Sequence, residues 1–373
     1  MPIAYAIGTD ELVRAAGANS AVRYNPGAFG GGLLAGQADD VRQLVIARVR
    51  GGSRPGRRTD AARIALCIEG GAMRGVVSGG MVLALQQLGL VHAFDAVYGS
   101  SAGAMNGAYM LAGQAPFGTT IYYEDINNRN FIDFARPLHG RSIVDLDYLV
   151  DDVMIRRKRL DVEAVLRSPV PLHMLATHVS SGERHVFSSW KDRDDFMHGL
   201  RAGASMPVVA GPPYAYRDTH YWDAVMTEAI PVRTAEASGF SHIVALLTRP
   251  RGHGGPRISL IDRLVVLPRL RGVSPQLAER YQARGREYAE LVHSAWRESG
   301  PEGRAAVLPI APPSLVVGKL EKRRDVLVQG AIAGALAVFD AFGFARPRLV
   351  ETLSAVGDDG QDIATASLAS VGA

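Results

Sequence analysis

The sequence predicts an α/β fold, with a central, largely parallel sheet between helices, on three observations. Two strand–helix units follow one another within about fifty residues, each with glycines where strand gives way to helix. The first of these strands, 64–69, is apolar up to Glu69, as a buried strand is. With 373 residues, 47% of them hydrophobic and 21% charged, the chain can bury a large core.

Taken in order, residues 1–58 read as an irregular Gly/Arg-rich arm. It ends in Arg48-Val-Arg-Gly-Gly-Ser-Arg-Pro-Gly-Arg-Arg58, a run expected to be a solvated linker. The folded core is expected to occupy 59–343. Strand 64–69 leads to helix 75–88, stopped by Gly89, and strand 96–99 leads to helix 102–112, stopped by Gly113. Segments 171–178 and 184–187 flank a Ser-Gly-Glu turn and read as a hairpin. A helix near 192–203 precedes a long Pro-rich loop, 207–222. A buried strand follows at 241–248, then helices at 275–298 and 320–342. Residues 344–373 form a weakly patterned tail, and no internal repeat is present.

Composition excludes several classes. A formal charge of +4 and a pI near 9.2 would suggest an anionic partner, but the cations are 37 Arg and only 4 Lys beside many Ala and Gly. That ratio reflects a GC-rich genome better than it reflects nucleic-acid binding. The single cysteine, Cys67, sits in the first buried strand and reads as a small core residue. The N-terminus lacks the basic and long apolar regions of a secretory signal. The apolar run Val326–Ala345 is interrupted by Gln329 and Asp340, and its Gly330-Ala-Ile-Ala-Gly334 step suits a close-packed core helix. A cytoplasmic protein with peripheral contact to a membrane surface is expected. No Cys/His set is spaced for zinc. The Asp-rich stretches at 145–152 and 192–195 lack the glycine and terminal glutamate of a calcium loop, so neither metal nor cofactor is expected.

The chemistry lies in the two glycine turns. Gly70-Gly-Ala-Met-Arg-Gly75 lacks the middle glycine of a dinucleotide fingerprint, and Asp95, at the right distance, precedes the second strand instead of ending it. No Lys-Ser/Thr pair follows Gly75, so a P-loop fails as well. The second turn, Gly99-Ser-Ser101-Ala-Gly103, runs from a strand straight into a small-residue helix, the context a nucleophile elbow requires. Flanking glycines let the chain turn sharply and keep the Ser101 hydroxyl exposed at the carboxyl edge of the sheet. Adjacent parallel strands bring both turns to that edge, where N–H groups near Gly71 and Ala72 can face the carbonyl that Ser101 attacks. The first turn then reads as an oxyanion hole.

With these motifs the chain resembles the bacterial patatin-like phospholipases, a family of serine lipid acyl hydrolases, over roughly residues 61–342. That family has a G-G-G-x-R/K-G oxyanion turn, a G-x-S-x-G elbow and a later D-G-G/A motif carrying the aspartate of a Ser-Asp dyad. The corresponding residues here are Gly70, Gly71, Ala72, Arg74 and Gly75 for the oxyanion hole, Gly99, Ser100, Ala102 and Gly103 around the Ser101 nucleophile, and Asp223-Ala-Val225 for the base. Ser142–Asp152 and Gly203-Ala-Ser-Met-Pro207 are similar to family segments too. The resemblance implies a three-layer patatin-like fold, phospholipid or other lipid ester substrates, an acyl-Ser101 intermediate and Asp223 as general base. Arg74 is expected to stabilise the glycine loop or to contact a lipid phosphate.

Two departures carry expectations of their own. Ala72 replaces the third glycine and is expected to keep a negative φ, since only its N–H is needed. Ala224 and Val225 replace the small pair after the aspartate, and a β-branched residue resists positive φ, so the turn must differ or Asp223 must be placed less well. The alternatives are an α/β-hydrolase esterase with a Ser-Asp-His triad, a catalytically silent patatin-like module that binds lipid or a partner, and a dinucleotide enzyme. A triad would draw on His242, His253 or His293. The run Arg156-Arg-Lys-Arg159 reads as a solvated face or a membrane-adsorbing patch.

Overall fold

The computed structural model describes residues 36–207, 209–260, 262–296, 304–315 and 317–344. Its eight strands are β1 (Ile64–Ile68), β2 (Ala96–Ser100), β3 (Leu172–His178), β4 (Arg184–Phe187), β5 (Tyr214–Tyr216), β6 (Thr219–Asp223), β7 (His242–Leu246) and β8 (Ala306–Ile310). Pairing runs β5-β6-β3-β2-β1-β7-β8, with β4 also on β3. The pairs linking β3, β2, β1, β7 and β8 are parallel, while β4 and β6 pair β3 in the antiparallel sense and β5 pairs β6 likewise.

Alternation within the central strands sorts residues onto two helical layers, because successive side chains leave a strand on opposite faces. Ile64, Leu66, Ile68, Val244 and Leu246 enter one core; Ala65, Cys67, Ile243 and Ala245 enter the other. The first, larger layer includes the helices Gly75–Gln87, Ala102–Leu111 and Arg324–Phe342; the second includes Val232–Ala237 and Pro275–Ala295. This is the three-layer arrangement the sequence implied. Cys67 is fully buried, and burial holds its thiol well above the usual range.

Arg324–Phe342 is the one helix among the described residues long and apolar enough to cross a membrane. Here it packs on Gly75–Gln87 at backbone contact. A Cβ at Gly80 would lie 1.9 Å from the Ala331 carbonyl oxygen, and one at Gly334 would lie 2.0 Å from that of Val77. The small-residue step is therefore a packing device within the fold.

Three expectations are corrected. Within the supposed irregular arm, Gln37–Arg50 is a helix with Val41 and Val45 fully buried; residues 1–35 lie outside the described residues. The arginine run after it is not wholly solvated. Arg48 is only 2% exposed, pairing with Asp60 and Asp95, and Arg58 also reaches Asp95. Asp95, the residue that mimicked a ribose ligand, is thus a structural clamp, accepting also from the Ile64 amide. The Pro-rich loop contains the β5–β6 hairpin, turned by Arg217 and Asp218 at φ 48° and 62° without a glycine to announce it. Strand β8 was not anticipated. The tail from 345 onward lies outside the described residues.

Candidate active site

The elbow is built by steric necessity. Ser101 has φ 53° and ψ −126°, between the end of β2 and the helix Ala102–Leu111. That conformation costs of order 1–3 kcal/mol and persists only where the surroundings over-determine it. They do so here. A Cβ at Gly99 would lie 2.4 Å from the Ala104 Cα, and one at Gly103 would lie 2.3 Å from the Ile68 carbonyl oxygen. Both glycines of G-x-S-x-G are needed because the helix folds back onto β1 and β2. Ser100 is buried, its hydroxyl donating to the Glu228 carbonyl at 2.9 Å.

The first glycine turn presses on the elbow. A Cβ at Gly70 would meet the Ser100 carbonyl oxygen at 2.3 Å and the Ser101 Cβ at 2.9 Å. One at Gly75 would sit 2.7 Å from both the Ala102 Cβ and the Tyr122 hydroxyl. Gly71 is extended, and Ala72 has φ 53°, which corrects the expectation of a negative φ. The turn keeps the left-handed backbone of a glycine although an alanine occupies it. The reason lies next door: the Ala72 and Met73 carbonyls start the helical turn into Gly75, and the Met73 amide is tied to the Lys319 carbonyl at 3.1 Å. Among the described residues, no acceptor takes the amides of Gly70, Gly71 or Ala72. Arg74 is buried behind the turn, donating from Nε to the Thr248 hydroxyl at 3.0 Å with Glu69 at 4.0 Å. It braces the loop, and a Cβ at Gly71 would come within 3.3 Å of its Nη2.

Strand register explains how Asp223 meets Ser101. On β3, Leu175 pairs with Ser100 of β2 and with Val186 of β4, so these two strands flank opposite edges. Ala176 pairs with Asp223 of β6 and with His185 of β4, so β6 shares the edge that β2 occupies. The chain leaves that edge at Ser101, and Asp223, arriving from the opposite direction, takes the next position along it. The elbow vacates the site that the aspartate fills.

Asp223 is 1% exposed. Its Oδ1 accepts the Val225 amide at 2.8 Å, whereas Oδ2 is buried without a well-formed hydrogen bond. Burial pushes the carboxyl up to about 6, against the opposing pull of the Ser101 hydroxyl, the Val225 amide and the Lys319 ammonium. The departure at Ala224 and Val225 is resolved by a different turn: Ala224–Met226 is a single 3₁₀ turn capped by Asp223, and neither residue has positive φ.

Ser101, Asp223 and the Gly70–Ala72 turn line one cavity of about 30 Å³. No histidine lines it among the described residues. His253 is exposed in its loop, His242 starts β7 and His293 lies on the helix Pro275–Ala295. Four charged or phenolic side chains that sequence reading missed also reach the cavity: Glu69, Arg249, Tyr288 and Lys319. Apart from Glu69, which adjoins the glycine turn, they come from segments distant in sequence, and no local motif marks them. The basic run at 156–159 lies elsewhere, and Arg156, Arg157 and Lys158 pair with Asp152, Asp125 and Glu124.

A strained serine beside a buried carboxylate and the free amides of the Gly70–Ala72 turn can take up an ester carbonyl and stabilise the oxyanion that forms on it. A mostly parallel α/β sheet carrying such an elbow next to a second glycine turn is the architecture of the patatin-like phospholipases. Residues 66–236 match the model of that family, described as patatin-like phospholipase. A curated relative, the uncharacterized protein YjjU of Escherichia coli strain K12, is 27% identical over 190 residues, 50% of this chain and 52% of the relative. The chain thus matches about half the length of that protein. Among solved structures, VipD from Legionella pneumophila is similar with a TM-score of 0.42 and 11% identity, over 75% of this chain and 66% of that one. Human GIVD cytosolic phospholipase A2, in complex with methyl gamma-linolenyl fluorophosphonate, is similar with a TM-score of 0.40 and 11% identity, over 86% of this chain and 63% of that one.

Proposed function

We propose that the chain is a serine lipid acyl hydrolase that cleaves carboxylic esters of phospholipids or other glycerolipids through a Ser101–Asp223 dyad. The observation that carries this reading is the β3 register, which sets the buried Asp223 carboxylate at the edge position that Ser101 vacates, in a cavity that no described histidine lines. As Ser101 Oγ bonds to the ester carbonyl carbon, its proton passes to Asp223. The carbonyl oxygen becomes an oxyanion facing the Gly71 and Ala72 amides. The C–O bond to the alcohol then breaks, and the alcohol leaves with the proton from Asp223. Water, activated by the same carboxylate, attacks the acyl-enzyme and frees the fatty acid and Ser101.

The cavity is small, and Met206 and Pro256 form part of its wall. Adjacent to Pro256, the segment 259–273 turns Leu260, Leu264, Val265 and Val273 outward beside Arg263, Arg269 and Arg271. Its one acid, Asp262, faces inward to Arg284 and Tyr281. An apolar face rimmed by arginines suits the surface of an anionic membrane. Leu264→Glu should therefore reduce co-flotation with phosphatidylglycerol vesicles severalfold; undiminished flotation would remove this face from the proposal.

The chemistry is tested by covalent labelling. An alkyl fluorophosphonate should modify the wild-type protein, and its adduct should map to Ser101. Ser101→Ala should take no label and lose hydrolysis across a panel of phospholipids and neutral esters. Equal labelling of both proteins would exclude Ser101 as nucleophile.

A further inference from the structure

The cavity holds more polar groups than the dyad and the glycine turn use. Arg249, 7% exposed, donates from Nη1 to the Gly254 carbonyl at 2.7 Å and lies over the Tyr288 ring at 4.7 Å. Its Nε is buried with no partner among the described residues. The Tyr288 hydroxyl, beside Glu69, is likewise buried without a well-formed hydrogen bond. Lys319 reaches the cavity from the loop whose carbonyl holds the Met73 amide, and among the described residues no carboxylate forms an ion pair with it. Leaving buried donors unmade costs far more than a hydrogen bond contributes when made, so such a cluster needs a purpose.

The charges point the same way. Arg74 is offset by Glu69. The ionised Asp223 offsets one of the two remaining cations, Arg249 and Lys319, and Arg284 behind them is paired with Asp262. One positive charge remains uncompensated within reach of the nucleophile. Burial and the neighbouring guanidiniums lower the Lys319 ammonium to about 8, so it is still cationic at neutral pH. A single anion brought in by the substrate would neutralise the site and occupy its free donors.

We propose that Arg249, Lys319 and the Tyr288 hydroxyl form a subsite for a singly charged oxyanion next to the scissile ester, namely the phosphodiester of a glycerophospholipid. The subsite extends the hydrolase reading: it sets the preference for phospholipid over neutral glycerolipid, while Arg74 is reserved for holding the glycine turn. It draws its residues from segments after Asp223, beyond the 66–236 stretch that carries the family match.

The test reads binding in a protein that does not turn over, so its outcome is separate from that of the Ser101 chemistry. Calorimetry on the full-length Ser101→Ala protein compares three probes: monomeric dihexanoyl phosphatidylglycerol, dihexanoylglycerol and glycerol 3-phosphate. The phospholipid should bind at least tenfold more tightly than either of the others. Adding Lys319→Met should weaken phospholipid binding about tenfold to a hundredfold, the loss expected for one charge-assisted contact, and so erase the preference over dihexanoylglycerol. Lys319→Arg, which keeps the charge, should stay within about threefold. Should Lys319→Met fail to fold by circular dichroism, Arg249→Lys, which removes Nε, carries the same comparison. Equal affinity for the phospholipid and the neutral lipid, or equal loss in the Met and Arg variants, would overturn the subsite. Glycerol 3-phosphate binding as tightly as the lipid would show that it serves a free phosphate ester and overturn the lipid assignment.

Discussion

Ser101 stands on a backbone that only glycines permit, whereas Asp223 ends an ordinary strand and caps an ordinary 3₁₀ turn. At the elbow, φ is 53° and a Cβ on either flanking glycine would meet backbone atoms at 2.4 Å or less. At the aspartate turn no residue is strained, Val225 tolerates the place of a small residue, and what is unusual is the environment: a carboxyl 1% exposed with one oxygen unpaired. The side chain at the first turn is thus positioned by covalent geometry, and the one at the second is set apart by burial. Substitutions should separate the two mechanisms, since backbone sterics act on stability and burial of a charge acts on pH behaviour.

The largest effect is expected at Asp223. Asp223→Asn should lower kcat/KM by about 10²–10⁴, the usual range for a general base. In the wild type the base must be ionised, so activity should fall as pH drops through about 6 and a limb near that value should report the carboxyl. Stability should move the other way. The unfolded aspartate ionises near its ordinary value and the folded one near 6, so ionisation destabilises the fold progressively as pH rises between the two and fully above 6. At pH 8 the Asn variant should therefore match or exceed wild-type stability, by up to about 3 kcal/mol, and this advantage should vanish at pH 4. Chemical denaturation at the two pH values measures it, and a variant destabilised at pH 8 would mean the carboxylate is stabilised by its surroundings.

Next in size is the elbow. Gly99→Ala should cost about 3 kcal/mol or more, because the added methyl meets the Ala104 backbone at 2.4 Å and backbone cannot swing aside. Val225→Gly, at the other turn, should cost only about 1 kcal/mol. Comparable losses at the two sites in urea unfolding would abolish the distinction between the two turns.

The smallest effect is expected at Ala72. Its left-handed φ is the single strained non-glycine position in the first turn, so Ala72→Gly should stabilise by about 1 kcal/mol, or about 2 °C, with activity retained. A fall in melting temperature would show that alanine is accommodated there without strain.

The stretch from residue 64 to 112 is legible in the sequence. Both strand–helix units and both glycine turns stand where periodicity and spacing placed them, because glycine has so few reasons to recur at a strand–helix junction. Ala72 departs from its local signal: an alanine argues locally for negative φ, and only the tether to Lys319 and the packing on the elbow override it. The helix Gln37–Arg50 was missed since its apolar stripe is short and sits among arginines, one of which is buried by partners far along the chain. The β5–β6 hairpin hid behind a turn without glycine.

By itself, then, the sequence determined the α/β class, the elbow around Ser101 and the opposing glycine turn, all of which are decided within a few residues by hard-sphere sterics. Only the tertiary structure decided that Asp223 lies where β2 leaves β3, that its carboxyl is buried enough to rise to about 6, and that Arg249, Tyr288 and Lys319 converge on the same cavity. Those are relations between segments separated by more than a hundred residues from Ser101, and burial and charge depend on what surrounds a group in space, which no local stretch of chain specifies.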